Sequence, residues 1–168
     1  MSSQPSADEP ILVATTGGTI DKVYFDASSD YEVGESVVDD LLKQAHVRAS
    51  YEILSLLRKD SLELTDADRQ TILESIGARP ERRVIITHGT DTMTDTARCL
   101  VSLSERTIVL TGSLSPARFA RTDAVFNVGM AFAAVQSLPG GVYIVMNGQV
   151  FQADRVRKDR EQNAFVRC

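Results

Sequence analysis

Short apolar runs alternate along the chain with longer segments whose apolar residues recur at helical spacing. Ile11-Leu12-Val13-Ala14 predicts a strand. Val37, Val38, Leu41, Leu42 and Ala45 predict a helix, opened by Ser36 and Asp39 in the manner of a capping box. Ser50 to Leu56 predicts the next strand, and Thr65-Asp66-Ala67-Asp68 starts a helix that runs to Ile76, with Gly77 and Pro80 closing it. The same alternation continues through a strand from Arg83 to Thr87, a helix from Met93 to Leu103, a strand from Thr107 to Thr111, a helix from Thr122 to Gln136 and a strand from Gly141 to Met146. Strands separated by helices call for an α/β domain of three layers, a doubly wound, mostly parallel sheet covered on both faces. Gly129, inside the last helix, costs on the order of 1 kcal/mol relative to alanine, so close packing against the sheet is expected there.

Several strands run straight into glycines and hydroxyl-bearing residues. Thr15-Thr16-Gly17-Gly18-Thr19 follows the first, Asp60-Ser61 the second, His88-Gly89-Thr90-Asp91-Thr92 the third and Gly112-Ser113-Leu114-Ser115-Pro116 the fourth. In a doubly wound sheet the carboxyl ends of the strands form the ligand crevice, so these loops are the candidate site. Thr90 and Asp91 also suit a helix cap, and on spacing alone capping and catalysis are balanced. A nucleotide loop is disfavoured, because the GxGxxG spacing is absent and no Gly-Lys-Ser/Thr follows. From Asp21 to Gly34 no period appears, and a long loop carrying Tyr24, Phe25 and Tyr31 is expected, either a lid over substrate or a segment anchored by its aromatics.

The chain has 168 residues, 43% of them apolar and 24% charged, enough for one domain to bury a core without disulfides or metal. No apolar run approaches the roughly 18 residues of a membrane span, and the first ten residues lack the pattern of a signal peptide. Residues 1–9 are expected to be a disordered lead-in to a single domain. A net charge of −5 argues against a nucleic-acid partner. Cys99, inside a helix, is expected to be buried and Cys168 exposed, which suits a reducing cytoplasm. His46 reads as a dipole partner at a helix end, with no second ligand spaced for a metal. The charge-rich tail from Asn147 to Cys168 reads as a solvated face, of interest only if the fold returns its lysine to the strand ends.

A threonine hydroxyl is a weak nucleophile that needs a proton acceptor and donors for an oxyanion. Neither histidine is spaced for a serine-histidine-aspartate arrangement, which leaves carboxylate, lysine and tyrosinate as bases. Thr90 beside Asp91 with a nearby lysine, and Thr19 with a loop tyrosine, are two hydroxyl pairs suited to acyl transfer without metal. Amides flanking Gly18 and Gly89 are candidates for binding a carboxylate or oxyanion.

Thr16-Gly17-Gly18-Thr19-Ile20 and His88-Gly89-Thr90-Asp91-Thr92-Met93, each at a strand end and about seventy residues apart, resemble the two signatures of the bacterial-type L-asparaginase family. The likeness extends through Ser29-Asp30-Tyr31-Glu32-Val33-Gly34, Asp60-Ser61, Ser115-Pro116, Phe126-Asn127 and Val145-Met146-Asn147 to Lys158. It implies a flavodoxin-like fold similar to that family's N-terminal domain, and hydrolysis of L-asparagine to L-aspartate and ammonia through a threonine acyl-enzyme, with no cofactor. By the same likeness Thr19 matches the first catalytic threonine, which attacks the side-chain amide carbon to give the acyl-enzyme, and Thr90 the second, activated by Lys158 with Asp91 as third member; which of the two is the primary nucleophile is left open. Tyr31 matches the tyrosine beside the first threonine, with Tyr24 as its substitute. Ser61 matches the group that binds the substrate α-carboxylate, and Asp91 also the ligand of the α-ammonium. Asp60, Gly18, Gly89 and Ser113 complete the candidate binding residues.

Leu62 stands where many members carry glutamine, which points to looser amino-acid recognition. The family's usual chain is about twice as long, so a short form without the smaller carboxyl-terminal domain is expected, with a more open site. The resemblance implies a small-molecule substrate and a homo-oligomer, dimer or tetramer, with neither nucleic acid nor membrane as partner. Two other readings stand beside it: an amino-acid-binding domain that needs a separate subunit for turnover, and a hydrolase of glutamine or another small amide.

Overall fold

The computed structural model describes residues 9–168. The expected lead-in lies outside the described residues except for Glu9, whose carboxylate accepts a hydrogen bond from the Arg82 amide at 3.1 Å.

The chain order is β1 (Ile11–Gly17), β2 (Lys22–Phe25), β3 (Asp30–Val33), α1 (Val38–Gln44), β4 (Tyr51–Lys59), α2 (Asp66–Gly77) and β5 (Arg83–Thr87). It continues through α3 (Met93–Cys99), β6 (Thr107–Thr111), α4 (Ala124–Ser137), β7 (Gly141–Met146), β8 (Gln149–Gln152), β9 (Val156–Asp159) and β10 (Ala164–Arg167). The main sheet runs β4-β1-β5-β6-β7-β8, parallel throughout except for β8. Counted among the parallel strands alone this is the order 2-1-3-4-5 of a flavodoxin-like sheet.

The central strands β1 and β6 are buried along their whole length, as parallel strands covered on two faces must be. Leu12, Ala14, Val84, Ile86, Ile108 and Leu110 face α2 and α3, where they meet Ile72, Ile76, Met93 and Ala97. Their neighbours Ile11, Val13, Ile85 and Val109 face α1 and α4, against Val38, Leu42, Val128, Ala131 and Val135. Because β1 lies beside β5 while the chain leaves in opposite directions from the two, their carboxyl ends border the crevice at which such sheets bind ligands.

Several expectations are corrected. The stretch from Asp21 to Gly34 is not a loop but the antiparallel hairpin β2–β3, with Tyr24 opposite Tyr31; strands of four residues are too short to show a period. Ser36 and Asp39 make no capping box: Val37 occupies the cap position and the Ser36 hydroxyl accepts from the Val38 amide. The capping box at Thr65 and Asp68 is present. The third helix is α-helical only to Cys99 and tightens to a 3-10 turn over Leu100–Leu103. Gly129 faces solvent, and a Cβ there would touch nothing within 4 Å, so it packs against no sheet. Cys99 is exposed.

The tail is also not a solvated face. Asn147 and Gly148, both with positive φ, turn β7 back into β8. Phe151, Ala153, Val156 and Phe165 then complete the core on the α2–α3 side. No helix among the described residues is long and apolar enough to cross a membrane.

Candidate active site

Three loops nest at the carboxyl ends of β4, β1 and β5 because glycine allows their backbones to touch. Gly18 has φ 89°, and a Cβ on it would lie 2.3 Å from the Gly89 nitrogen. A Cβ on Gly89 would in turn meet Ser61 Oγ at 2.6 Å. The Gly18 amide donates to the Lys59 carbonyl at 2.9 Å, the Thr16 hydroxyl to the Thr87 carbonyl at 2.8 Å and the Thr92 hydroxyl to the Ser61 carbonyl at 2.7 Å. Thr19 opens the 3-10 turn Thr19–Asp21 directly beyond this contact.

Thr90, 5% exposed, follows Gly89 in the same nest. Lys158 on β9 reaches it from across the molecule, donating to Thr90 Oγ1 at 2.7 Å and to Asp91 Oδ1 at 2.8 Å. The lysine side chain is 9% exposed and the Asp91 carboxylate 33%. β9 is held by its pairing with β10, where Phe165 lies opposite Lys158, and by Arg98 of α3, which donates to the Val156 carbonyl at 3.1 Å. Neither Thr90 nor Asp91 caps α3. Thr92 occupies that position, and no side chain caps the first turn.

His88 is structural. The Gly89 carbonyl, 2.7 Å from Nδ1, can only accept, so Nδ1 carries the proton and Nε2 accepts from the Thr96 hydroxyl at 2.8 Å. Burial pushes the imidazole down to about 4 and the Arg69 charge adds to this, against the opposing pull of the Gly89 hydrogen bond. A neutral ring wired at both nitrogens braces the Gly89–Thr90 turn from behind.

Asp60 and Ser61 border the other side. Ser61 is buried, and its hydroxyl is one of three buried side-chain polar atoms, with Arg69 Nε and Thr87 Oγ1, that lack a hydrogen-bond partner among the described residues. Asp60 accepts from the Leu62 amide at Oδ1 and pairs at Oδ2 with Lys22 Nζ, 2.7 Å away. Burial pushes the Asp60 carboxyl up, but the Lys22 and Leu62 hydrogen bonds and the charges of Lys22 and Lys158 outweigh it and hold the group below its ordinary value.

The remaining expected residues stand apart from this cluster. Tyr24 and Tyr31 are exposed on the hairpin, ring centroids 5.3 Å apart, and Tyr31 also packs edge-on against Phe119 at 5.8 Å. Neither hydroxyl makes a hydrogen bond to Thr19 or Thr90. The Ser113 hydroxyl donates to the Ser115 carbonyl within its own turn.

Sequence reasoning missed two features. Lys22 lies in the stretch expected to be a loop. A polar network fastens the turns after β6 and β7: Asp123 accepts from the Leu114 and Ser115 amides, Asn127 Nδ2 donates to the Gly112 carbonyl, and Asn127 Oδ1 accepts from the Asn147 amide. Asn147 Nδ2 donates to Asp123 Oδ2 at 2.8 Å. The Asn-Gly pair at 147–148 was the legible signal for part of it.

The family model described as "Asparaginase, N-terminal" matches residues 10–166. The chain is 30% identical over 172 residues to the glutaminase-asparaginase of Acinetobacter glutaminasificans, covering 93% of this chain and 52% of that one. It is 30% identical over 154 residues to one of the subunits of the glutamyl-tRNA(Gln) amidotransferase of Methanococcus vannielii, covering 83% of this chain and 34% of that protein. The crystal structure of L-asparaginase I from Vibrio cholerae superimposes with a TM-score of 0.83 at 28% identity, over 96% of this chain and 52% of that one. The chain thus spans about half the length of most curated relatives it matches.

Proposed function

We propose, from the premise that this chain belongs to the asparaginase family, that it is an amidohydrolase converting L-asparagine to L-aspartate and ammonia through a threonine acyl-enzyme. The observation that carries the reading is the buried contact of Lys158 with both Thr90 and Asp91. As a free amine, Lys158 keeps a hydrogen bond donated to Asp91 while its lone pair accepts the Thr90 proton. The Thr90 oxygen then bonds to the side-chain amide carbon, and collapse of the tetrahedral intermediate breaks the C–N bond as Lys158 returns the proton to the departing nitrogen. Water repeats the sequence on the ester, giving its proton to Lys158, and releases the new carboxylate and Thr90. Thr19 is the second hydroxyl of the site and the other candidate for attack. Tyr31, or Tyr24 beside it, covers Thr19 when the hairpin bends inward.

The unpartnered Ser61 hydroxyl supports binding of the substrate carboxylate, with Asp60 and the nested Gly18 and Gly89 turns shaping that side and Ser113 stiffening the next. Exposed Val125 and Phe126 on α4 are apolar surface that a homo-oligomer would cover. Two exposed cysteines without a disulfide suit a reducing, cytoplasmic setting.

The test is ammonia release from asparagine and glutamine by the purified chain, its Thr19→Ala and its Thr90→Ala forms. Turnover that is unchanged in both variants sinks the assignment. A second reading is favoured by the span of about half the relatives' length and by the relative that is itself one component of an amidotransferase: a domain that binds the amino acid and depends on a partner chain for turnover. Calorimetric binding of asparagine without ammonia release supports that reading instead.

A further inference from the structure

We infer that Lys22 is a positioning residue: its ion pair with Asp60 fixes the turn that carries Thr19 against the turn that carries Ser61, and so sets the span over which the site holds its substrate. The inference rests on the amidohydrolase reading above. The two turns leave adjacent parallel strands, whose pairing ends with Gly17 opposite Lys59 and with the Gly18 amide on the Lys59 carbonyl. Beyond that point each segment enters one short 3-10 turn, Thr19–Asp21 or Ser61–Glu63, a geometry with weak internal hydrogen bonds. Among the described residues, the Lys22–Asp60 pair is the one ion pair or hydrogen bond that joins residues 19–22 to residues 60–63.

Each end of the pair is anchored in the turn it serves. The Lys22 amide donates to the Thr19 carbonyl and closes the first turn. Asp60 caps the second, accepting from the Leu62 amide at Oδ1 (3.1 Å), while Oδ2 takes Lys22 Nζ at 2.7 Å. One carboxylate therefore shapes the Ser61 turn and grips the Thr19 turn. Burial pushes its pKa up, but the hydrogen bonds from Lys22 and the Leu62 amide hold it below the ordinary value, so it is ionised at neutral pH. The two side chains are only 26% and 25% exposed, which limits screening by salt. The other foot of the hairpin is held separately: the Asp21 carbonyl accepts from the Gly34 amide at 2.9 Å, and the Asp21 carboxylate from the Val37 amide at 3.1 Å. Removing the Lys22 charge thus cuts the link to Ser61 and leaves the hairpin fastened.

Asparagine is a short molecule. With its α-carboxylate on the Ser61 hydroxyl, the place of its carboxamide relative to Thr19 depends on the spacing of the two turns, and a misplacement of about 1 Å costs on the order of a hundredfold in rate. A lysine that merely attracted the substrate carboxylate would act on KM. A latch acts on kcat, because the Ser61 turn keeps its Asp60 cap when Lys22 is lost. The test measures kcat and KM for ammonia release from asparagine in wild type, Lys22→Met, Lys22→Arg, Asp60→Asn and the double variant Lys22→Met with Asp60→Asn; asparagine at 60 retains an acceptor for the Leu62 amide. Lys22→Met and Asp60→Asn are each expected to lower kcat by about tenfold with KM changed by less than about threefold, and the double variant to be no worse than either. Lys22→Arg keeps most of the wild-type kcat, as a retained ion pair requires.

An unchanged kcat in Lys22→Met, a loss confined to KM, or losses that multiply in the double variant overturns the inference while leaving the amidohydrolase reading intact. If wild type cleaves no asparagine, that reading fails separately, and hydrogen exchange decides the present one without turnover. The Glu63 and Leu64 amides donate to the Asp60 and Ser61 carbonyls, and the Asp21 and Lys22 amides to the Gly18 and Thr19 carbonyls. Faster exchange at 63 and 64 in Lys22→Met, together with faster exchange at 21 and 22 in Asp60→Asn, upholds the latch. Changes confined to the substituted turn, or none, overturn it.

Discussion

Lys158 lies 68 residues beyond Thr90, on a strand outside the main sheet, yet its nitrogen stands 2.7 Å from Thr90 Oγ1. The contact depends on β9 being held in place, and under the proposed mechanism the two residues act as one unit rather than as two independent contributors.

Replacing Lys158 by Met is accordingly expected to lower kcat for amide hydrolysis by about a thousandfold or more, and Thr90→Ala by a similar factor. The double variant should be little worse than either single one, because groups that act as a unit are lost together. Ammonia-release kinetics on the three variants, with circular dichroism to verify folding, measures this. Fully additive losses would separate the two residues.

Gly18→Ala introduces a Cβ 2.3 Å from the Gly89 nitrogen at a φ of 89°. Both the clash and the backbone angle oppose it, and neither neighbour is a flexible side-chain tip. A loss on the order of 2 kcal/mol or more in urea unfolding is expected, together with loss of turnover. Gly129→Ala, at an exposed helical position with nothing near its Cβ, should instead gain roughly 0.5 to 1 kcal/mol.

His88 couples stability to acid. Its imidazole is pushed down from 6.5 to about 4 in the fold, so between these values the unfolded chain binds the extra proton. Stability is therefore full above pH 6.5 and falls as the pH is lowered toward 4, by on the order of 3 kcal/mol in all. Denaturant midpoints from pH 7 to pH 4 should show this slope in wild type and lack the corresponding part in His88→Gln. Equal slopes in the two would place the acid sensitivity elsewhere.

Asp123 joins the turns after β6 and β7 through two backbone amides and two asparagines. Asp123→Ala leaves those donors without their acceptor, and a cost of about 1 to 3 kcal/mol is expected. Hydrogen exchange should show the loss concentrated at residues 112–115 and at 147, and protection unchanged there would assign the network no structural weight.

The alternation of β-branched runs with amphipathic segments was enough to read the five parallel strands, the four helices and the hydroxyl-rich turns at the strand ends, because burial on two faces writes itself into consecutive residues. The two short motifs, at Thr19 and Thr90, likewise stand where a chain-order reading puts them. Elements of four residues were not legible, since β2, β3, β9 and β10 are too short for a period to emerge and derive their order from what they pack against. For the same reason the tail looked solvated although Phe165 and Val156 are buried. Whether Thr90 and Asp91 cap a helix was undecided by local spacing; in the fold Thr92 holds the cap position of α3, and Lys158 returns from β9 to contact both residues. Ion pairs such as Lys22 with Asp60 join residues that are distant along the chain, so only the path of the folded backbone brings their charges within reach.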